Sequence, residues 1–363
     1  MPPPARAVPE EVVEEILLRL PPHKPACLIR ASVVSKRWLA LVSGARFTGR
    51  YREFHGAPPV LGFLQSWPWD AAPMKLAVWD PVTGRRRELQ EPACMVVEHE
   101  DGQLGAAVLC AVSGCDHRAC HDGPFRVVFF SLHFAGGANY GNFVARACVW
   151  TGEFSKPLSH VHGGEWSEPC SGIPIDTVGF IEPKPPVLVK DAVHFMLAYE
   201  HEYCGYNRYH GVVRVQILKY DLSSNCLSLI DAPLGAARHN GNPIIMALED
   251  GTLGFARVKK LHLHIWRSRQ MGSDGVAEWA GHRVINLNNI PPIKDPEKHV
   301  FLIGSVEGND IIFVHTESSV YRINLKTLRR KKIWEGEYFN ALIPYRSFYN
   351  PGGISLHLLS FVT

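Results

Sequence analysis

Two periods of apolar and polar residues divide the chain. From Val8 to about Phe54 the apolar positions recur at helical spacing; from Val60 onward they fall in short strand-like runs separated by Gly, Asn, Asp and Pro. In the first region Pro9 suits a first helical position, and Glu10, Glu11, Glu14 and Glu15 place negative charge where the helix dipole favours it. Val12, Val13, Ile16, Leu17 and Leu20 form one stripe, which Pro21 and Pro22 bring to an end. A second short helix is expected over 26–32, carrying Leu28 and Ile29. A third is expected over 36–43, with Ser35 as N-cap, Gly44 just beyond it and Trp38, Leu41 and Val42 on its apolar side. Arg46, Phe47, Tyr51, Phe54 and His55 suggest a further short helix leading into an exit segment, 56–59.

Three short helices in about 45 residues bury too little surface to be comfortable alone; domains of this size use a metal, a disulfide or a partner. Residues 8–55 show no metal or disulfide pattern, so a partner is expected.

Strands are expected over 125–134, 187–199, 212–220, 251–258 and 310–315. A diverged repeat runs through this region: a strand ends in an aromatic and often an Asp, and a polar turn follows. The clearest copies are Leu76-Ala77-Val78-Trp79-Asp80 before Thr83-Gly84, Ile217-Leu218-Lys219-Tyr220-Asp221 before Ser223-Ser224-Asn225, and Ser319-Val320-Tyr321-Arg322-Ile323-Asn324 before Lys326-Thr327. Cys148-Val149-Trp150 and Leu263-His264-Ile265-Trp266 are weaker copies. Units that cannot bury their faces singly suit a β-propeller of about six blades; a two-sheet β-sandwich is the alternative.

The run Val8-Pro9-Glu10-Glu11-Val12-Val13-Glu14-Glu15-Ile16-Leu17-Leu18-Arg19-Leu20-Pro21-Pro22, followed by Val33-Val34-Ser35-Lys36-Arg37-Trp38, resembles an F-box. Val8 stands where that family usually has leucine, and Ser35 where it often has cysteine. The later phrases Glu249-Asp250-Gly251-Thr252-Leu253-Gly254, Asp310-Ile311-Ile312-Phe313-Val314 and Pro344-Tyr345-Arg346-Ser347-Phe348-Tyr349 resemble the F-box-associated, kelch-like propeller of plant, especially grass, proteins. The resemblance implies an α+β multidomain chain: a disordered N-terminus over 1–7, an F-box with exit helix over 8–57, and an all-β propeller over 58–363. It implies docking on a Skp-type adaptor, and through it a cullin scaffold, by Pro9, Ile16, Leu17, Leu20, Pro21, Leu28, Val34, Lys36, Arg37 and Trp38, some of which must be the module's own core. The whole would be a non-catalytic substrate receptor of a ubiquitin ligase, gaining effective concentration rather than chemistry. A non-degradative scaffold, or a metal- or small-ligand-binding propeller, is the alternative.

Target capture is expected from loops over 135–142, 159–173 and 200–210, with Tyr140, Trp166, Tyr203, Tyr206 and Tyr209 as anchors or as locally packed side chains.

Composition narrows this reading. The 363 residues are 46% hydrophobic, as in a globular chain, and no apolar run reaches the roughly 20 residues of a membrane span. No signal-peptide core follows Met1, and nine scattered cysteines read as reduced thiols, so a cytoplasmic or nuclear protein is expected. Residues 1–55 hold nine basic and five acidic side chains and the remainder is near neutral, which gives no argument for nucleic acid.

Candidate chemistry is sparse. Cys110, Cys115, His117, Cys120 and His121 could hold zinc, or form a solvated loop with free thiols, since no paired C-x-x-C knuckle is present. His262 and His264 share a strand face without an identifiable third ligand. Arg329-Arg330-Lys331-Lys332 reads as an import signal, a phosphate-contact patch or a charge-protected edge. No G-x-S-x-G elbow, P-loop, dinucleotide fingerprint or H-E-x-x-H pair occurs, so neither catalysis nor a cofactor is expected.

Overall fold

The computed structural model describes residues 8–22, 24–55, 60–65, 75–79, 86–89, 92, 103–112, 124–134, 143–152, 165–175, 179–200, 212–233, 243–269, 278–287, 300–316, 319–335, 342–346 and 358–362. The expected disordered stretch 1–7 lies outside them, as does the exit segment 56–59.

Four helices open the chain: α1 (Glu10–Leu18), α2 (Pro25–Ser32), α3 (Lys36–Ser43) and α4 (Ala45–His55). Pro9 is the residue before α1 rather than its first helical residue, and α1 stops at Leu18, ahead of the two prolines. The cap of α3 is as expected, with Trp38 N donating to Ser35 Oγ at 3.2 Å. Gly44 follows that helix in an extended conformation, φ −70°, because α4 begins at the next residue and leaves no room for a left-handed turn. Val13, Leu17, Leu18, Leu28, Ala31, Val42, Phe47 and Tyr51 form the core of the helical unit.

The rest is strand. β1 (Val60–Gln65), β2 (Lys75–Trp79) and β3 (Arg86–Glu88) come first. β4 (Gln103–Cys110), β5 (Phe125–Phe134), β6 (Phe143–Gly152), β7 (Glu165–Trp166) and β8 (Ile173–Ile175) make one sheet, ordered β4-β5-β6-β7 with β8 also on β6. β9 (Gly179–Ile181), β10 (Val187–Val189), β11 (Ala192–Glu200), β12 (Val212–Asp221) and β13 (Cys226–Asp231) make the next, ordered β10-β11-β12-β13 with β9 on β11. β14 (Ile244–Ala247), β15 (Leu253–Lys259), β16 (His262–Ser268) and β17 (Trp279–Asn286) follow as a meander. So do β18 (Phe301–Val306), β19 (Ile311–Thr316), β20 (Ser319–Asn324) and β21 (Arg330–Glu335). The last strands return to the first: β22 (Leu342–Arg346) pairs with β1, and β23 (Leu358–Val362) pairs with β2, which also carries β3.

All pairings are antiparallel, and the sheets pack face to face in chain order. One core lies between the β4–β8 and β9–β13 sheets, another between β9–β13 and β14–β17, and a third between β14–β17 and β18–β21. Val78 of β2 joins the cluster on the remaining face of the β4–β8 sheet. Both faces of each inner sheet are therefore buried. In β5, Val127 and Phe129 point to one neighbour, and Val128 and Phe130 to the other, so the strand reads as a continuous apolar run instead of alternating.

The inner strands converge. β14 lies against β10 and β18, β18 against β22, and β4 against β9 and β23. Lys184, between β9 and β10, donates to the Leu302 carbonyl of β18 at 3.2 Å, two sheets away. This is a propeller-like arrangement with four full sheets among the described residues, and the two-facing-sheet alternative does not fit it.

The repeat phrases all fall on corresponding strands: β2, β6, β12, β16 and β20 each lie next to the outermost strand of their sheet or path. One strand expectation needs correction. The run 187–199 is two strands, because Lys190 takes a left-handed conformation (φ 54°) and turns β10 back onto β11.

Candidate functional site

The helical unit divides its apolar residues between a core and a surface. Among the described residues thirteen large hydrophobic side chains are exposed, and eight of them lie between residues 8 and 54: Val8, Val12, Ile16, Ile29, Val33, Val34, Leu39 and Phe54. Val12 and Ile16 are one turn apart on α1, and Ile29 and Val33 one turn apart at the end of α2. Arg37 at the start of α3 donates through Nε and Nη2 to Glu10 Oε2, at 2.9 and 2.7 Å. That forked contact ties the N-terminus of α3 to that of α1, and so brings the Val33-Val34 turn to the same end of the unit as Val8 and Val12.

The structure thus divides the expected docking residues. Leu17 and Leu28 are sealed in the core at 2% and 3% exposure. Leu20 and Trp38 pack against that core from its rim, and Pro21 is half-buried. Pro9, Ile16, Val34, Lys36 and Arg37 are exposed. Val12, Ile29, Val33 and Leu39 belong to the same exposed set, although the sequence reading left them out. The signal that could have found them is the occupation of both sides of the α1 stripe, with Val12-Val13 and Ile16-Leu17 each offering one side chain inward and one outward.

α4 locks this unit together. The last carbonyls of a helix lack regular partners within it, and the chain just beyond α1 adds the Leu20 carbonyl. Tyr51 Oη donates to the Leu20 carbonyl at 2.7 Å, and His55 Nε2 lies 2.7 Å from the Leu18 carbonyl. Burial pushes the Tyr51 hydroxyl well above the ordinary tyrosine range, which keeps it a donor. Arg50 reaches Glu14 at 2.7 Å and Glu15 at 2.6 Å; the arginines Arg19 and Arg50 hold the Glu15 carboxyl below its usual value. The expected short helix is therefore eleven residues long and contributes Phe47 and Tyr51 to the core.

What this surface can do follows from its composition. Burying one Val or Ile side chain fully is worth about 1.5–3 kcal/mol. Several such side chains together can supply an association drive, and Lys36, Arg37 and Glu10 are exposed charged residues of the same unit.

Of the expected target anchors, Tyr140, Tyr203, Tyr206 and Tyr209 lie outside the described residues. Trp166, expected in a loop, is in β7 opposite Trp150, and its ring meets Phe129 edge-on at 5.9 Å, half-buried in a core cluster. Of the cysteine–histidine group only Cys110 is described, in β4, where its Sγ accepts from Val112 N at 3.4 Å. His264 meets His282 rather than His262, Nδ1 to Nε2 at 2.9 Å, beside the stacked Trp266 ring. No group of three metal-ligating side chains occurs among the described residues, and no described helix is long and apolar enough to cross a membrane.

Residues 7–48 match the F-box domain family. No curated protein matches the chain. Among solved structures, prolyl oligopeptidase B from Galerina marginata, bound to a 35mer hydrolysis and macrocyclization substrate, is 13% identical with a TM-score of 0.30. The similarity covers 69% of this chain and 32% of that one, so the chain spans about a third of the length of that enzyme. A luciferin-regenerating enzyme is 8% identical over 66% of this chain and 80% of its own, with a TM-score of 0.28.

Proposed function

We propose, from the premise that the chain carries an N-terminal F-box domain followed by a propeller-like β-domain, that it is the substrate-receptor subunit of a Skp–cullin–F-box ubiquitin ligase. F-box domains bind Skp-type adaptors. The observation that carries the reading is the concentration of exposed apolar side chains on the helical unit, with Val12, Ile16, Ile29, Val33, Val34 and Leu39 as its centre. A free-standing domain has no reason to keep that surface wet. The β-domain then holds the target near a ubiquitin-charged enzyme carried elsewhere on the scaffold, and the chain itself performs no chemistry.

On this reading the two small sheets β1-β22 and β23-β2-β3 complete a six-bladed ring with the four full sheets. The repeat phrases support a place among the F-box-associated, kelch-like propellers of plants, and the nine scattered cysteines are in keeping with a place of action in the cytoplasm or nucleus.

The test is co-expression of the full chain with a Skp-type adaptor, followed by affinity capture. Intact protein should retain the adaptor; Ile16→Asp with Val34→Asp should lose it at least tenfold while keeping its circular dichroism and melting temperature. Failure of the intact protein to hold any Skp-type adaptor would sink the proposal.

A further inference from the structure

Two hairpin turns of the β-domain are copies of one another. At the end of β12, Asp221 Oδ1 accepts from Ser223 N, Ser224 N and Ser224 Oγ at 3.0–3.1 Å. At the end of β20, Asn324 Oδ1 accepts from Lys326 N, Thr327 N and Thr327 Oγ1 at 2.8–3.0 Å. Each turn then passes through one left-handed residue, Asn225 (φ 53°) or Leu328 (φ 55°). The registers also agree, Lys219 facing Ser228 in one and Arg322 facing Lys331 in the other.

The charges do not agree. Near the first turn the cation is Lys219, 3.4 Å from Asp221, and the return strand begins Cys226-Leu227-Ser228. In the second the cap is an amide, and the chain returns through Arg329 into β21, which begins Arg330-Lys331. An aspartate makes the same turn, as the first copy shows, so the turn itself does not require asparagine. Its effect is to remove the one carboxylate from a pocket of about 190 Å³ lined by Arg322, Asn324, Thr327, Arg329, Arg330 and Lys331.

Protecting an edge strand explains exposed lysines on β21, but not Arg322. Arg322 is on β20, and its Nε is out of contact with solvent without a hydrogen-bond partner among the described residues. It also faces another cation directly across the ladder, an arrangement that costs stability. Glu249 and Asp310, the acids near this turn, are engaged by Lys326, which does not line the pocket.

We propose that this pocket binds a phosphate group carried on a peptide segment of the recruited protein. A volume of 190 Å³ is below the roughly 300–1,000 Å³ of pockets that take drug-sized ligands, so the occupant is one compact group. Several cations and no acid suit a dianion better than a single carboxylate. A phosphomonoester brings a charge of about −1.5 to −2 and three acceptor oxygens, which guanidinium groups meet in pairs. Nucleic acid fits less well: beyond residue 55 acidic and basic residues nearly balance, and the pocket has no aromatic lining for base stacking. The identity of the carrier rests on the receptor reading above; the anion site does not.

The test uses the full chain purified with its adaptor and fluorescence polarisation with degenerate phosphoserine and phosphothreonine peptide pools beside their unphosphorylated counterparts. The phosphorylated pools should bind selectively. Arg322→Gln and Lys331→Glu should each weaken binding about tenfold or more, whereas Lys332→Ala, outside the pocket and paired with Glu335, should not. Arg322→Gln should melt no lower than the wild type, since it removes a buried Nε without a hydrogen-bond partner among the described residues and a cation facing Lys331. The proposal is overturned if the pools bind alike or not at all, or if Lys332→Ala is as damaging as Arg322→Gln. It is equally overturned if inorganic phosphate or a single-stranded oligonucleotide competes as well as the phosphopeptides. Adaptor capture on the same samples reports separately: its loss with phosphopeptide binding intact sinks the receptor reading and leaves the anion site standing.

Discussion

The helical unit and the β-domain treat apolar residues in opposite ways. The β-domain stacks sheet on sheet, so strands such as β5 and β11 bury both faces and need no partner to do so. The helical unit has one small core under four short helices and leaves eight large apolar side chains exposed among the described residues. One region buries its apolar faces within itself; the other keeps several of them at its surface.

The contrast can be broken most forcefully in the β-domain. Phe129, fully buried between sheets, should cost about 3–5 kcal/mol as Phe129→Ala, read as a fall in the main calorimetric transition, with adaptor capture retained. Acid should act next, and on the same domain. Burial pushes His194 down to about 4 from an ordinary 6.5, although its Nδ1 lies 3.2 Å from the Val187 carbonyl. The unfolded chain therefore takes up the proton first. The contribution of the neutral imidazole is intact above pH 6.5 and is lost as pH falls from there to about 4, on the order of 3 kcal/mol in all. Denaturant titrations at pH 7.5 and 4.5 should show this loss, and His194→Gln should reduce it.

The helical unit yields smaller numbers. Tyr51→Phe removes the hydroxyl that caps the Leu20 carbonyl and should cost about 1 kcal/mol, visible as earlier loss of helical ellipticity. Smallest for stability, and sharpest for the comparison, is Ile16→Ser. Stability should change by no more than about 0.5 kcal/mol, because the side chain is already 56% exposed, while adaptor capture falls. If Ile16→Ser instead unfolded the helices, the division between core and docking face would be wrong.

Much of this was legible from the residues. Ser35 before Lys36 marked the cap of α3, the apolar run Phe125–Phe134 marked β5, and the repeat phrases marked corresponding strands in successive sheets. Pro9 was misjudged by one position because proline is comfortable on either side of a helix start. The division of Ile16 from Leu17 was not legible, since both are apolar and adjacent and only tertiary packing decides which turns inward. The turn at Lys190 was hidden because a left-handed lysine carries no sequence mark. The anion pocket was visible only as a basic run. Arg322 and the amide of Asn324 acquire meaning beside Lys219 and Asp221, about a hundred residues earlier, once the two turns are superposable structures.

The return of β22 to β1 and of β23 to β2 fixes an order of events on the ribosome. Helices α1–α4 build their core from residues 13–51 alone, whereas β1 and β2 must wait for strands made nearly three hundred residues later. Until then they present open edges, the state in which chains pair with the wrong neighbour. The β-domain is thus the last part of the chain to close, and that late closure is the step at which quality control has the most to inspect.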